Sequence, residues 1–394
     1  MKISADFPGG NIIVCEIQGN RARITQDLRN CETYWFYWCM AVEFDLPGRY
    51  TFAFEHDCSI GARGPAMRLC NDIAWSWLGC ANVDYAHNEF FYDCAVPERV
   101  IFCTSMQYLE SDFFRFAAAA GHPAEVLCRS RRGREVELFH ICDGAPAKKI
   151  LLTTRHHACE MTAAHVLEGI LRTVLADDEP GRMFRREFEL FAVPFVDKDG
   201  VEEGDQGKNR IPHDHARDYG NNPIYPETRS IMELIEREKP EIVFDLHCPW
   251  LLGGINETLY FVGPELKRME LQMMRWSEIL QKEVPPSVPF DPADNILFGT
   301  DWNIPSSFMK GRTLARWAAD LDYVKTALSI EIPYSNMRDT TFNVKTMHEL
   351  GAALVRTIYG AAVDGVKPEG FTVKLPKFSM NAFEMGVTAT PNNH

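Results

Sequence analysis

Apolar and polar positions alternate in short runs through roughly the first 120 residues. The runs "NIIVCEIQ", "ARITQDL", "YWFYWCMAVEF", "RYTFAFEH", "FFYDCAV" and "RVIFCTS" are rich in β-branched and aromatic side chains and are separated by turn-forming residues. Short strands at such spacing predict an antiparallel β-sandwich over residues 1–120. From residue 121 the period changes. A hairpin is predicted where "AEVLCRS" and "EVELFHI" flank the basic turn "RRGR". The strand-like runs "KKILLTT", "EFELFAVPFV", "EIVFDLH", "ETLYFVG" and "TALSIEIPY" then interleave with helical periodicity in "EMTAAHVLEGILRTVLA", "ETRSIMELIEREK" and "TMHELGAALVRTIYGAAV". That alternation predicts an α/β domain with a mixed or largely parallel sheet over residues 121–372. The period is lost in residues 373–394, which read as a C-terminal tail.

A chain of 394 residues fits about two domains at ~150 residues each. The formal charge of -14 argues against binding a phosphate backbone, and the one short basic run is already assigned to a hairpin turn, so no nucleic-acid partner is expected. The N-terminus has no apolar segment of signal-peptide length and no stretch approaches the ~20 apolar residues of a membrane span, which predicts a cytoplasmic protein without a membrane partner. Twelve cysteines are scattered at irregular spacing and no pair forms C-x-x-C. A disulfide framework and a thiolate zinc site are therefore not expected, and the thiols read as small buried hydrophobes.

In open α/β sheets, ligands bind beyond the carboxyl ends of the strands. Three predicted strands end in or run into groups capable of metal or acid–base chemistry: "LLTTRHHACE", "VFDLHC" and "LSIEIPY". With a helix beginning near Cys159, His157 and Glu160 are three apart and can converge on one ion. His165 lies five beyond Glu160, about 140° round the helix, and reads as a packed or surface histidine. Strand alternation sends His156 and His157 to opposite faces, and spacing puts His157 only modestly ahead as the candidate. His247 would complete a His-Glu-His set, which leaves zinc an open position for water. Glu331 is a carboxylate in an apolar strand, costly to bury unless it has a function or an ion-pair partner.

Taken in order, these segments resemble the zinc carboxypeptidase family, and within it the cytosolic carboxypeptidases that carry a β-sandwich before the catalytic domain. "TTRHHACEMT" is similar to the family's H-x-x-E segment, "PFVDKDGVEEGDQGKNR" to its Asn-Pro-Asp-Gly region and "HDHARDY" to Asp-x-Asn-Arg-Asn-aromatic. "FDLH" is similar to the strand with the second histidine and "SIEIPY" to the strand with the catalytic glutamate; the five segments span roughly residues 147–335. The resemblance implies a mixed-sheet α/β catalytic domain with one Zn2+ per chain, held by His157, Glu160 and His247, with Asp214 orienting His157. It implies Glu331 as general base toward a metal-activated water, Arg210 as the group polarising the scissile carbonyl, and Arg217 as the grip on a substrate carboxylate. Tyr334, three residues after Glu331, is the candidate for a substrate-facing hydroxyl. The implied substrate is a peptide or small acidic amide, cleaved next to a free carboxylate.

The chain departs from that pattern in three places. Ala216 stands where the family has a carboxylate-binding asparagine, the upstream tyrosine has no counterpart in "DWNIPSSFMKGR", and Cys159 and Cys248 flank ligands, where they read as packing thiols. Ala216 and the large β-rich front domain leave open a second reaction, N-acyl amino acid deacylation, as in the aspartoacylase and succinylglutamate desuccinylase group. A third reading is a catalytically silent binding protein; retention of His157, Glu160, His247 and Glu331 argues against it.

Overall fold

Two five-stranded sheets account for the alternating first hundred residues of the computed structural model, which describes residues 1–146 and 148–363. The expected tail at 373–394 and the last part of the expected α/β segment lie outside the described residues. One sheet joins Lys2–Ser4, Cys39–Phe44, Glu98–Cys103, Ala66–Leu69 and Ser76–Trp77; the other joins Ile13–Gln18, Arg21–Thr25, Gly48–Phe54, Glu89–Cys94 and Val83–Asp84. The pairings are antiparallel except that between Arg21–Thr25 and Gly48–Phe54, which is parallel because the chain crosses to the first sheet between them.

Alternation explains the packing of the two sheets. Met40, Val42 and Phe44 on one strand face Phe52, Phe54 and Phe90 from the other sheet, with Phe52 and Phe90 stacked at 4.7 Å. The intervening Cys39 and Ala41 turn the other way, into a core shared with Phe113, Phe139 and the α/β part of the chain. Cys39–Val42 is therefore apolar on both faces because both are covered, and Glu43 is the strand's one exposed residue. The preceding Tyr34–Trp38, expected to extend this strand, is irregular and runs toward the α/β part instead.

The second part is built on a seven-stranded mixed sheet in the order Glu125–Arg129, Glu135–Ile141, Phe188–Val193, Lys148–Thr154, Ile242–His247, Thr326–Glu331, Tyr260–Val262. The four strands from Phe188–Val193 to Thr326–Glu331 are parallel, and antiparallel strands flank them on both sides. Helices cover both faces: Met161–Leu175, Lys267–Glu283 and Val344–Val363 on one, Pro226–Glu238 and Leu314–Ala318 on the other. The Lys267–Glu283 helix, absent from the expected elements, buries Met269, Met273, Trp276 and Leu280 at helical spacing. Met161–Leu175 and Val344–Val363 cross so closely that a Cβ on Gly169 would lie 2.6 Å from His348 Cα, and one on Gly351 would lie 2.5 Å from Ile170 N. Among the described residues, no helix is long and apolar enough to cross a membrane.

Strand order determines where a ligand can bind. The chain leaves Lys148–Thr154, returns on one side as Phe188–Val193 and later on the other as Ile242–His247. The connections diverge there, opening a crevice at the carboxyl ends of these strands. Both "RHHACE" and His247 emerge at this point.

Candidate metal centre

After Thr154 the chain turns through Arg155, at φ 61°, and enters the Met161–Leu175 helix with Glu160 as its N-cap residue. The buried Arg155 guanidinium pins the turn by donating to the carbonyls of Ala158 and, at 2.8 Å, Tyr108. The 204–210 loop presses on the turn from outside. Gly207 has φ 76°, and a Cβ there would lie 2.1 Å from Ala158 N, so only glycine fits.

This geometry directs His157 and Glu160 to the same point as His247. His157 Nδ1 is 2.7 Å from Glu160 Oε1 and His247 Nδ1 is 2.9 Å from Glu160 Oε2. One potential ligand atom from each lies within 4.8 Å of the others, and all three residues are buried. The far side of each ring meets a carboxylate: His247 Nε2 is 2.7 Å from Asp245 Oδ2, and His157 Nε2 is 3.7 Å from Asp214 Oδ1, an atom with no hydrogen-bond partner. Two imidazole nitrogens and a carboxylate, with both rings oriented from behind by aspartates, fit a zinc ion. Burial raises the Glu160 carboxyl, but His157, Lys208 and His247 outweigh it and hold the group well below its ordinary range. A negative charge is thus maintained in a buried position.

A cavity of about 1000 Å³ opens over these residues. Glu331 lines it from the end of the adjacent strand, directly opposite His247 in the parallel register. Its Oε2 is buried without a partner, and burial, opposed by His247 and reinforced by Glu160, raises its carboxyl to about 7. Tyr260, opposite Glu331 on the antiparallel neighbour, also lines the cavity, and its buried hydroxyl is unpaired as well. Arg217 lines the wall over the Phe308 ring at 5.1 Å; among the described residues it has no carboxylate partner. Arg316 lies over the same ring at 3.8 Å and pairs with Glu265 at 3.0 Å.

Two expected site residues are elsewhere. Arg210 does not line the cavity. Its buried guanidinium is held by Asp197 at 2.7 Å and Asp205 at 2.9 Å; Asp205 is shared with Arg29 at 2.8 Å, whereas Arg210 is the cation paired with the buried Asp197. Tyr334 is buried against Phe36, and its hydroxyl turns to the Cys159 carbonyl at 3.4 Å rather than toward the cavity. The cation at the centre that sequence pattern does not single out is Lys208, whose Nζ is 2.9 Å from Glu160 Oε1. Gly207 directs it inward, and the "GKN" spacing beside the H-x-x-E turn is the only sequence signal for it.

Trp35, from the irregular segment of the first part, forms another wall. Its ring lies 5.0 Å from the Lys208 ammonium and edge-on to Trp250 at 4.5 Å, and its indole N–H donates to Cys159 Sγ at 3.3 Å. Cys159 and Cys248 are fully buried, and burial pushes the Cys159 thiol up to about 12, as suits packing groups. His165 is packed too, with Nε2 3.2 Å from the Met106 carbonyl.

No family model matches the chain. Cytosolic carboxypeptidase 2 of Xenopus tropicalis is 23% identical over 264 residues, covering 63% of this chain and 26% of that protein. Cytosolic carboxypeptidase 6 of Caenorhabditis elegans is 22% identical over 237 residues, covering 50% of each. The chain thus spans half or less of the length of these relatives. Among solved structures, a metallo-carboxypeptidase from Burkholderia cenocepacia superposes with a TM-score of 0.76 at 17% identity, over 91% of this chain and 98% of that one. A metallo-carboxypeptidase from Pseudomonas aeruginosa, in complex with (2-guanidinoethylmercapto)succinic acid, superposes with a TM-score of 0.73 at 18% identity and the same coverage.

Proposed function

We propose that this chain, whose fold is that of the metallo-carboxypeptidases, is a zinc-dependent hydrolase that cleaves a peptide or related amide bond next to a free carboxylate. One observation carries the reading: His157, Glu160 and His247 converge at the strand-order switch, beside a cavity lined by Glu331, with its unpaired carboxylate oxygen, and by Arg217, which has no carboxylate partner among the described residues. Zinc at these ligands would supply Lewis acidity, polarising a carbonyl and acidifying water.

The chain's own residues divide the remaining work. Glu331 accepts the water's proton and returns it to the leaving amine, a role suited to a carboxyl raised toward neutrality. Lys208 puts a fixed positive charge beside the scissile carbonyl, where negative charge develops. Arg217 anchors the free carboxylate through a planar fork that has no other anionic partner among the described residues. The neutral Tyr260 phenol, whose pKa is raised well above its ordinary value by burial and then by Glu331, offers a hydrogen bond next to the base. Arg316 and Arg217 on one wall favour a substrate with a second acidic group, such as an acidic side chain beside the carboxylate.

Zinc analysis combined with peptide hydrolysis tests the reading. One zinc per chain is expected, lost in His157→Ala and retained in an inactive Glu331→Gln; a zinc-free wild type, or unchanged turnover in both variants, overturns it. N-acyl amino acid deacylation is the second reading, favoured by Ala216, which leaves the carboxylate anchor without an amide donor beside Arg217. Matched peptide and N-acyl amino acid substrates separate the two.

A further inference from the structure

His156 is adjacent to His157 in sequence, yet it does not converge on Glu160; its fully buried ring stacks beside that of His247 at 5.5 Å. Its Nε2 lies 2.6 Å from the Tyr219 hydroxyl, and its Nδ1 faces Asp245 Oδ1 obliquely at 3.0 Å. Asp245 is two residues before His247 on one strand, so the pleat sends both side chains to the same face. Asp245 Oδ2 is 2.7 Å from His247 Nε2, while Oδ1 accepts a hydrogen bond from the Thr153 hydroxyl at 2.7 Å.

The proton positions follow from this geometry. An ionised carboxylate only accepts, so the Thr153 hydroxyl and the His247 Nε2–H donate to Asp245, while the His156 Nδ1–H directs its dipole at Oδ1 from 3.0 Å, too obliquely for a hydrogen bond. Tyr219 completes the chain at His156 Nε2. With its proton on Nε2, His247 presents the Nδ1 lone pair toward Glu160 and the cavity.

We propose that His156 and Tyr219 are positioning residues that act through Asp245, holding His247 in the tautomer and orientation that present Nδ1 to a metal ion. This rests on the reading of His157, Glu160 and His247 as ligands. The consecutive histidines then have separate roles, one facing the ion while the other clamps the carboxylate that orients the second imidazole. Carboxylates behind metal-bound histidines typically contribute 10–100-fold to metal affinity. In this chain part of that contribution is transmitted one residue further, through a second imidazole. His156, Asp245 and His247 also bring potential ligand atoms within 4.8 Å of one another. An ion bound there would have to displace the protons that both rings direct at Asp245, so a single zinc is expected.

The test uses the full chain, stripped with a chelator. Zinc affinity is measured by competition with a chromophoric chelator, stoichiometry by elemental analysis, and the melting temperature of the zinc-free protein in parallel. In His156→Asn the amide nitrogen can replace Nδ1 against Asp245 but cannot reach Tyr219, whereas His156→Leu removes both contacts. We expect Asp245→Asn and His156→Leu to weaken zinc binding about 10–100-fold, and His156→Asn to stay within about threefold of wild type, with one zinc per chain throughout. Both His156 variants lose the Tyr219 contact and should melt at similar temperatures, so stability does not account for a difference in affinity. Wild-type affinity in His156→Leu overturns the inference, as does an equal loss in His156→Asn, or a second zinc that disappears with His156. A wild type that binds zinc but hydrolyses neither peptide nor N-acyl amide would overturn the functional reading alone; a wild type that binds no zinc would overturn both.

Discussion

Lys208 reaches Glu160 at 2.9 Å, whereas Arg210, two residues on, is held between Asp197 and Asp205. Loss of either cation therefore has a separable effect. Lys208→Met should lower kcat by about 10²–10³ with little change in melting temperature, as expected for removing charge at a developing oxyanion. Arg210→Met should leave the buried Asp197 without its arginine partner, while Asp205 keeps Arg29, and cost about 3–5 kcal/mol of stability, measured by urea unfolding. Glu331→Gln should retain zinc and lose about 10²–10⁴ in kcat. In the wild type, kcat/KM should rise with pH as Glu331 ionises, with a midpoint at or below about 7, since a bound dication favours the carboxylate. An acid limb that persists in a slow Glu331→Gln variant would assign it to another group. His165 supplies a stability test at the same scale. Burial lowers its pKa from 6.5 to about 4, so the folded state favours the neutral ring. Its contribution is complete above pH 6.5 and is lost as pH falls toward 4, about 3 kcal/mol at most. The slope of unfolding free energy over that interval should flatten in His165→Asn.

At the scale of elements, sequence pattern and structure agree where one periodicity meets one environment. The "EIVFDLH" and "TALSIEIPY" runs are neighbouring parallel strands, and their polar ends stand out because the buried strands before them are mainly apolar, Asp245 and Ser329 excepted. "YWFYWCMAVEF" is harder, because a continuous apolar run does not reveal that only Cys39–Phe44 pairs while Tyr34–Trp38 leaves the sheet for the cavity wall. His156 and His157 are nearly equivalent on spacing, since the turn at Arg155 decides which ring faces the switch point. Lys208 is hidden for a similar reason: its direction depends on how the loop at Gly207 docks on Ala158, a contact across some fifty residues. The crossing of Met161–Leu175 and Val344–Val363 carries its own prediction. Gly351→Ala forces a methyl group against the Ile170 backbone and should destabilise the fold by about 1–3 kcal/mol, measured by chemical denaturation. Because the proposed ligand Glu160 begins the first of these helices, the variant should also weaken zinc binding.

Across the whole molecule, binding and folding are linked. A ligand that binds only the folded state stabilises it by RT ln(1 + [L]/Kd), about 2.7 kcal/mol at one hundred times Kd. Zinc should therefore raise the melting temperature of the wild type and leave that of His157→Ala unchanged, a comparison that needs no substrate. The proposed metal ligands come from the α/β part of the chain, yet Trp35, on the other part, contacts both Cys159 and Lys208. Reorganisation of either part should thus be felt at the cavity.

Most of the Cys39–Phe44 strand has no face of its own to expose: its even-numbered residues from Met40 to Phe44 belong to the sandwich core, while Cys39 and Ala41 belong to the core around the α/β sheet, leaving Glu43 alone exposed. A ribbon shared in this way acts as a party wall, because neither room can be demolished without opening the other. Heating should then give one calorimetric transition for the chain rather than two, and a fragment beginning after the wall would carry an uncovered apolar surface wherever its catalytic residues went.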